Sequence, residues 1–140
     1  MSIRRATAAD LPLLLAIDGG ARRDPTHPAW LRRALAERSG WVLVRARRIV
    51  AHGVLRRSFF DRWFVEALYV SANCRRTGCG SRMLEFFEAR VASDGELWTS
   101  TNQSNRIMQN LLKKRGYVRC GRVTGLDRGD PELIYVKRWT

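Results

Sequence analysis

The sequence has few of the residues that build metal centres and disulfide frameworks. Its three cysteines, Cys74, Cys79 and Cys120, are an odd number with no Cys-x-x-Cys pair, so they predict neither a disulfide scaffold nor a zinc site. The two histidines, His27 and His52, are too few and too isolated to complete a metal site with these thiols. We therefore expect no bound metal, and the free thiols favour a reducing, cytoplasmic compartment.

Long apolar segments are missing as well. No apolar stretch of signal-peptide shape follows the first five residues, and Leu11 to Ile17 is short and interrupted by Pro12. A helix that spans a bilayer needs about 20 apolar residues, and no segment of the sequence reaches that length. We therefore expect a protein that does not associate with a membrane.

Lysine is scarce, with 3 lysines beside 23 arginines. The net charge is +13, and a positive field of this size attracts polyanions such as nucleic acid or a phosphorylated cofactor. The arginines are scattered as pairs along the whole chain, however, and codon bias in a GC-rich genome produces the same pattern. The net charge therefore has two possible explanations, a polyanionic partner and a compositional bias, and by itself it does not distinguish them.

The length of 140 residues predicts a single domain over residues 1–140. A chain of this size buries roughly 68–70% of the surface that its unfolded form exposes, which is enough for a hydrophobic core without disulfides. The sequence contains no internal repeat and no linker.

Hydrophobic periodicity predicts seven strands and four helices. The strands are predicted at residues 3–6, 41–45, 49–56, 63–70, 96–100, 117–124 and 133–139. The helices are predicted at residues 11–17, 30–38, 78–92 and 104–115, with Asp24 to Pro28 as a break before the second. The order β-α-α-β-β-β-α-β-α-β-β predicts an α/β fold with a mixed central sheet of about seven strands flanked by four helices.

Two helix ends carry clear signals. Thr7 and Asp10 form a capping-box-like start before the first helix. Residues 113–115 place three cations in the last turn of the fourth helix, where cations favour the helix dipole, and Gly116 follows. The fourth helix is predicted to bury one apolar face formed by Ile107, Met108, Leu111 and Leu112.

A glycine-rich segment, Cys74-Arg75-Arg76-Thr77-Gly78-Cys79-Gly80-Ser81-Arg82, follows a predicted strand and opens a predicted helix. Its glycines allow close approach of the backbone to a ligand, and the amides of the first helical turn lack carbonyl partners. These amides, with Arg75 or Arg76, predict a pyrophosphate site. The segment lacks the Gly-Lys-Ser/Thr of a Walker loop, and Met83 departs from the dinucleotide fingerprint. The alternative is a plain strand-to-helix turn with solvated arginines.

Three segments in order resemble the GNAT acetyltransferase superfamily, and together they cover nearly the whole chain. The opening Ile3-Arg4-Arg5-Ala6-Thr7-x-x-Asp10 is similar to the family's first strand and helix. The run from Glu66 to Ser71, followed by Arg75-x-x-Gly78-x-Gly80, resembles the family signature. The stretch from Asn102 to Tyr117 resembles its late helix and the entry to the next strand.

The resemblance implies a binding site for acetyl-CoA in a sheet that splays between strands 4 and 5. The backbone around Leu68, Tyr69 and Val70 is expected to hold the pantetheine arm, which Asn105 and Leu111 would contact. The pyrophosphate would lie on the segment Arg75, Arg76, Thr77, Gly78, Cys79, Gly80 and Ser81.

Acetyl transfer needs a base for the attacking amine, and Glu66 is the candidate. On an alternating strand it shares a face with Phe64 and Leu68, and an apolar surrounding raises the pKa of a carboxyl group. The resemblance places the family's frequent strand glutamate at the same position. The alternative is a cross-strand ion pair with Arg56 or Arg57.

The thiolate that leaves needs a proton, and here the sequence departs from the family. Many members carry a tyrosine in the fourth helix where this chain has Leu112. Tyr117, five residues later, is the remaining candidate acid, although the following strand would aim it elsewhere; water can also supply the proton. A covalent route through Cys79 lacks a histidine base in the matching segments.

The predicted function is therefore an acetyltransferase acting on a primary amine, either a small molecule or a peptide, with an anionic acceptor favoured by the net charge. A non-catalytic acyl-CoA sensor and a basic nucleic-acid-binding module are the alternatives. The second lacks a helix-turn-helix or RNA-reading motif. Strands exposed near the C-terminus leave a monomer and a homodimer both open.

Overall fold

The computed structural model describes residues 1–17 and 27–139. The seven strands are β1 (Ser2–Arg5), β2 (Gly40–Arg45), β3 (Arg48–Phe59), β4 (Arg62–Val70), β5 (Glu96–Asn102), β6 (Val118–Val123) and β7 (Glu132–Arg138). The four helices are α1 (Leu11–Ile17), α2 (His27–Ala36), α3 (Cys79–Arg90) and α4 (Arg106–Lys114). Their order along the chain is the predicted order. The predicted break falls partly on residues 24–26, which lie outside the described residues.

The strands form one mixed sheet in the order β1-β2-β3-β4-β5-β7-β6. β4 and β5 run parallel, and their ladder pairs Phe64 with Trp98 and Val65 with Thr99. The Thr99 hydroxyl donates to the carbonyl of Val65 at 3.0 Å, which reinforces this ladder. β4 itself continues to Val70, and the separation of strands 4 and 5 along its C-terminal half stays a prediction.

The second helix begins earlier than predicted. α2 starts at His27 and includes Pro28, whereas the sequence pattern places both residues in the break before it. Proline is tolerated in the first turn because its missing N–H would have no carbonyl partner there and its φ is already helical. The prediction that Pro28 belongs to the break was therefore wrong, because this proline lies in the first turn of α2.

The chain divides into two compact units, of which the first contains Met1–Leu55 and Ala67–Phe86. One cluster of its core joins α1, α2 and β2 with the residue after β1, and its buried members are Ala6, Leu14, Leu31, Leu35 and Val42. The predicted capping box is present, because the Thr7 N–H donates to Asp10 Oδ2 at 2.8 Å. Asp10 also accepts from Arg4 Nη1 at 2.9 Å and Nη2 at 3.0 Å. This contact with Arg4 lowers the pKa of the Asp10 carboxyl despite its burial.

The second unit contains Arg56–Glu66 and Phe87–Thr140. Its largest fully buried side chains are Phe87, Leu97, Leu112 and Leu133. α4 ends as predicted: Gly116 has φ +91°, and the Tyr117 N–H donates to the Leu112 carbonyl at 2.9 Å. The predicted apolar face of α4 is only partly correct. Leu112 is buried, but Ile107 is 64% exposed.

Within residues 1–17 and 27–139, no helix has both the length and the apolar character needed to cross a bilayer.

Candidate active site

The predicted phosphate-binding segment forms a strand-to-helix turn in the first unit. β4 ends at Val70, a short 3-10 turn covers Ala72–Cys74, and α3 begins at Cys79. Arg76 has φ +64° and Gly78 has φ +82°, so the backbone passes twice through the left-handed region between the two elements. Glycine adopts this conformation without a Cβ penalty, whereas arginine is strained there.

The turn is open where a ligand would approach it. Residues 75–78 are exposed, whereas Cys79 and Gly80 are buried. A Cβ atom at Gly78 would meet no heavy atom within 4 Å. The Arg82 N–H donates to the Gly78 carbonyl at 2.9 Å, and helix geometry leaves the amides before it without intrahelical acceptors. The open turn and the helix dipole together suit an anion.

Arg45, at the end of β2, contacts this turn, and no signal in the sequence marks it as a site residue. Its Nη2 atom lies 2.9 Å from Cys74 Sγ, and its Nη1 atom lies 3.3 Å from Thr77 Oγ1 and 4.0 Å from Cys79 Sγ. The Thr77 hydroxyl also donates to the carbonyl of Cys74. One guanidinium therefore touches three residues of the turn.

The thiols of Cys74 and Cys79, the two cysteines of the turn, are buried. Cys74 is 7% exposed and Cys79 is 1% exposed, and Cys79 Sγ lies 3.2 Å from Thr77 Oγ1. A nucleophile must reach its substrate, so the burial of Cys79 does not favour the covalent route.

The C-terminal half of β4 carries the residues expected to hold the pantetheine arm. Leu68, Tyr69 and Val70 are all half-buried. The ring of Tyr69 lies 5.1 Å from that of His52 and 6.5 Å from that of His27. These aromatic contacts fix the Tyr69 side chain, while the backbone of this half-strand remains the predicted contact for the arm.

Glu66 lies on β4 in the second unit, and its side chain is 15% exposed. Its Oε2 atom lies 3.6 Å from Arg56 Nε on β3. The cross-strand ion pair with Arg56, the alternative to a catalytic role for Glu66, is therefore present. A half-buried carboxylate beside a cation can still act as a base, so the catalytic role stays a prediction.

Asn105 and Leu111, predicted to contact the arm, belong to α4 in the second unit. Asn105 is the N-cap of the helix, and its Oδ1 atom accepts from the Met108 N–H at 3.1 Å. Leu111 is half-buried and the next residue, Leu112, is 1% exposed. The capping contact explains the asparagine structurally and leaves its predicted coenzyme contact untested.

Tyr117, which is buried, belongs to a partly buried polar cluster around Glu88. Its hydroxyl donates to Glu88 Oε2 at 2.8 Å, while Glu88 Oε1 accepts from Arg115 Nη2 at 2.7 Å and from Lys137 Nζ at 3.0 Å. Burial first, and then the charge of Glu88, raises the pKa of Tyr117. The cluster ties together α3, the end of α4 and β7.

The connection between β6 and β7 is held against the end of β5. Asp127 Oδ2 accepts from Asn102 Nδ2 at 2.8 Å, and Asp130 accepts from the N–H of Ser104 at 2.9 Å. Burial, reinforced by the negative charges of Asp127 and Asp130, raises the pKa of Glu132.

Across the described ranges, no group of three His, Cys, Asp or Glu side chains is arranged to hold a metal ion.

Large aromatic side chains occur in both units. In the first, Trp30 stacks on His27 at 5.2 Å. In the second, Phe59 stacks on Phe64 at 5.1 Å, while Phe60 and Trp63 line an open cleft with charged residues, namely Arg57, Asp61, Arg62, Asp94 and Glu96.

Comparison with known proteins identifies the family. The model of the acetyltransferase (GNAT) family matches residues 10–117. The structure is similar to a GNAT-family acetyltransferase from Bacillus cereus ATCC 10987, with a TM-score of 0.83, 26% identity and coverage of 98% of this chain and 96% of that one. It is also similar to the ribosomal-protein-alanine N-acetyltransferase of Brucella melitensis, with a TM-score of 0.74, 25% identity and coverage of 99% and 100%.

At 19% identity, the ribosomal-protein-S18-alanine N-acetyltransferase of Escherichia coli shares the fold, with a TM-score of 0.80 and coverage of 98% of this chain and 92% of that one. No curated protein matches the sequence. The family match covers most of the chain, and the seven-stranded mixed sheet with its parallel β4 and β5 agrees with it. The chain therefore belongs to the acetyltransferase (GNAT) family, whose members are acyltransferases.

Proposed function

We propose that the protein transfers the acetyl group of acetyl-CoA directly to a primary amine. The observation that carries this proposal is the open turn at residues 75–78, which leads into the N-terminus of α3 in a chain of the acetyltransferase family. Gly78 leaves space for a ligand, and arginines 75, 76 and 82 supply positive charge. These features fit a diphosphate, because backbone donors and cations both favour it.

The residues of the turn and of β4 would hold the coenzyme in two parts. The amides from Arg76 to Ser81 bind the pyrophosphate, and the backbone of Leu68, Tyr69 and Val70 binds the pantetheine arm in the manner of an added strand. Asn105 and Leu111 contact the arm from α4. Bound in this way, the coenzyme supplies an acetyl thioester, and the chain's own groups supply the rest of the catalysis.

Glu66 would remove the proton from the attacking amine, directly or through one water molecule. A base of this kind contributes about 10²–10⁴-fold to the rate. A backbone N–H of residues 68–70 would stabilise the negative charge that develops on the thioester oxygen. Two sources are proposed for the proton of the leaving thiolate: Tyr117, the acid predicted from the sequence, and water, which is favoured because the Tyr117 hydroxyl donates to Glu88.

The acceptor is proposed from charge. The net charge of +13 repels polyamines and attracts amines that carry carboxylates. Two of the similar structures are ribosomal-protein-alanine N-acetyltransferases, so the α-amine of a peptide belongs in any panel of acceptors. The free thiols of Cys74, Cys79 and Cys120 fit a cytoplasmic site of action.

The experiment is an acceptor screen that follows free thiol released from acetyl-CoA, with peptides, amino acids and polyamines as the amines. Amine-dependent release is the expected result, together with mass addition of one acetyl group to the acceptor.

A non-catalytic acyl-CoA sensor is the second candidate, and Leu112 is the observation that favours it. This residue is 1% exposed and replaces a tyrosine that many family members carry. CoA binding without release of thiol in the presence of any amine would support the sensor, whereas binding together with turnover would exclude it.

A further inference from the structure

The guanidinium of Arg45 joins β2 to the turn between β4 and α3. It reaches Cys74 Sγ at 2.9 Å, Thr77 Oγ1 at 3.3 Å and Cys79 Sγ at 4.0 Å. These three residues lie on both sides of Arg76 and Gly78, the two positions with left-handed backbone. One planar side chain therefore spans the strained part of the turn.

The partners of Arg45 are unusual for a half-buried arginine. None of the three is a carboxylate, and a thiol is a weak acceptor. Within the described ranges, no carboxylate forms an ion pair with Arg45. The sequence has no acidic residue between Glu37 and Asp61, or between Glu66 and Glu85. The contacts of Arg45 therefore place a guanidinium with no carboxylate among its partners directly beside the proposed phosphate-binding turn.

We propose that Arg45 is a positioning residue for acetyl-CoA, an inference that rests on the proposed function. It holds residues 74–79 in the conformation that presents their amides to the pyrophosphate, and it thereby sets the affinity for the coenzyme. It takes no part in the chemistry of acetyl transfer.

The geometry of the side chain explains why arginine occupies this position. Its planar fork donates in two directions at once, here towards Cys74 through Nη2 and towards Thr77 through Nη1. A lysine retains the charge as a single point and cannot keep both contacts. Without the fork, the strained backbone at Arg76 loses a restraint, and the turn must be ordered when the coenzyme binds.

The test measures binding of free CoA by calorimetry to the whole chain and to three variants, Arg45→Met, Arg45→Lys and Arg48→Met. We expect both Arg45 variants to bind CoA about tenfold more weakly or worse, because a displaced binding group is costly. Arg48 is the matched control: it lies in the same hairpin and is exposed, and its loss should change the affinity by less than about threefold. In turnover, KM for acetyl-CoA should rise while kcat at saturation stays within about twofold.

If Arg45 only stabilised the fold, its substitution would lower the thermal stability and would not raise KM for acetyl-CoA while leaving kcat unchanged. Acetyl-pantetheine, which lacks the phosphates, should react equally well with the parent protein and with Arg45→Lys. CoA binding by Arg45→Lys at the parent affinity would overturn the proposal, because charge alone would then suffice. A parent protein that does not bind CoA would instead contradict the proposed function.

A double-mutant cycle keeps the proposal testable if Arg45→Met folds poorly. Thr77→Val removes the acceptor at the centre of the contact, in the parent chain and in Arg45→Lys. Non-additive losses of CoA affinity are expected for residues that act through one contact. Additive losses would show that the two side chains act independently, which contradicts the proposal.

Discussion

The hydroxyl of Tyr117 donates a hydrogen bond of 2.8 Å to Oε2 of Glu88 on α3. Tyr117 is 3% exposed, and burial together with the neighbouring carboxylate raises its pKa. The phenol therefore keeps its proton over the physiological range and has a partner for it. This relationship favours a structural role for the tyrosine over the acid role that the sequence suggested, and the two roles can be separated by experiment.

Replacement of Tyr117 by phenylalanine should destabilise the protein and spare turnover. The change leaves one oxygen of Glu88 without its phenol donor, and we expect a loss of about 1–2 kcal/mol in the free energy of unfolding. The value of kcat should stay within about threefold, because loss of a true general acid costs about 10²–10⁴-fold. Denaturant unfolding and steady-state kinetics check this. A fall of kcat in that larger range would establish Tyr117 as the acid.

Replacement of Glu66 by glutamine should remove catalysis and leave binding intact. We expect kcat to fall by about 10²-fold or more, with KM for acetyl-CoA unchanged, because the base acts in the chemical step. The lost ion pair with Arg56 is long, at 3.6 Å, and should cost less than about 1 kcal/mol. Asp61→Asn is the control, since its side chain is 88% exposed. Unchanged turnover of Glu66→Gln across the pH range would remove Glu66 from the mechanism.

Gly78→Ala tests the open turn against a control with the same backbone strain. Gly78 and Gly129 have φ values of +82° and +71°, and neither has an atom within 4 Å of an added Cβ. Each alanine should cost about 1–2 kcal/mol of stability, through left-handed strain alone. Only Gly78→Ala should weaken CoA binding, by about tenfold, because only there would the methyl group occupy ligand space. Equal CoA affinities of the two variants would contradict the proposed pyrophosphate site.

Asp10→Asn should lower stability at neutral pH and lose its effect in acid. Asp10 accepts from Arg4 and from the Thr7 N–H, and its pKa is lowered in the folded protein. An acid with a lowered pKa stabilises the fold above its unfolded pKa, about 3.9, and loses this contribution as the pH falls through the folded value. We expect a loss of about 1–2 kcal/mol at pH 7. Unfolding curves at several pH values should converge in acid.

Glu132→Gln should act in the opposite direction. The pKa of Glu132 is raised by burial and by Asp127 and Asp130, so its ionisation opposes folding once the pH rises above the unfolded pKa, about 4.3. The glutamine variant should therefore be more stable at pH 7 and equal to the parent near pH 3. The difference should be on the order of 0.5 kcal/mol, because the site is partly solvated. A variant that is less stable at pH 7 would contradict this account.

Most of the fold could be predicted because it depends on local signals. The strand alternation, the capping box at Thr7 and the glycine after α4 each act within a few residues. The start of α2 was misplaced because Pro28 is compatible with both a break and a first helical turn. Ile107 has the spacing of a buried residue yet is exposed, since periodicity shows which face is apolar and not how much of it a neighbour covers.

The parts of the candidate site that carry a sequence motif could be predicted. The parts that depend on a contact between distant residues could not. The turn at residues 75–81 could be found from its glycines, whereas nothing distinguishes Arg45 from the other arginines of the sequence. Its role depends on a contact with Cys74 across 29 positions. The hydrogen bond between Tyr117 and Glu88 also joins residues 29 positions apart in the sequence, and only the folded chain shows it.

The unequal burial of the three thiols gives the protein a built-in chemical reporter. Cys120 on β6 is exposed, whereas Cys74 and Cys79 are covered. A maleimide dye would tag Cys120 first and would reach the two covered sulfurs only when their surroundings open. The slow phase of labelling thus reports the rate of local opening of the segment beside Arg45, and no cysteine needs to be engineered to observe it.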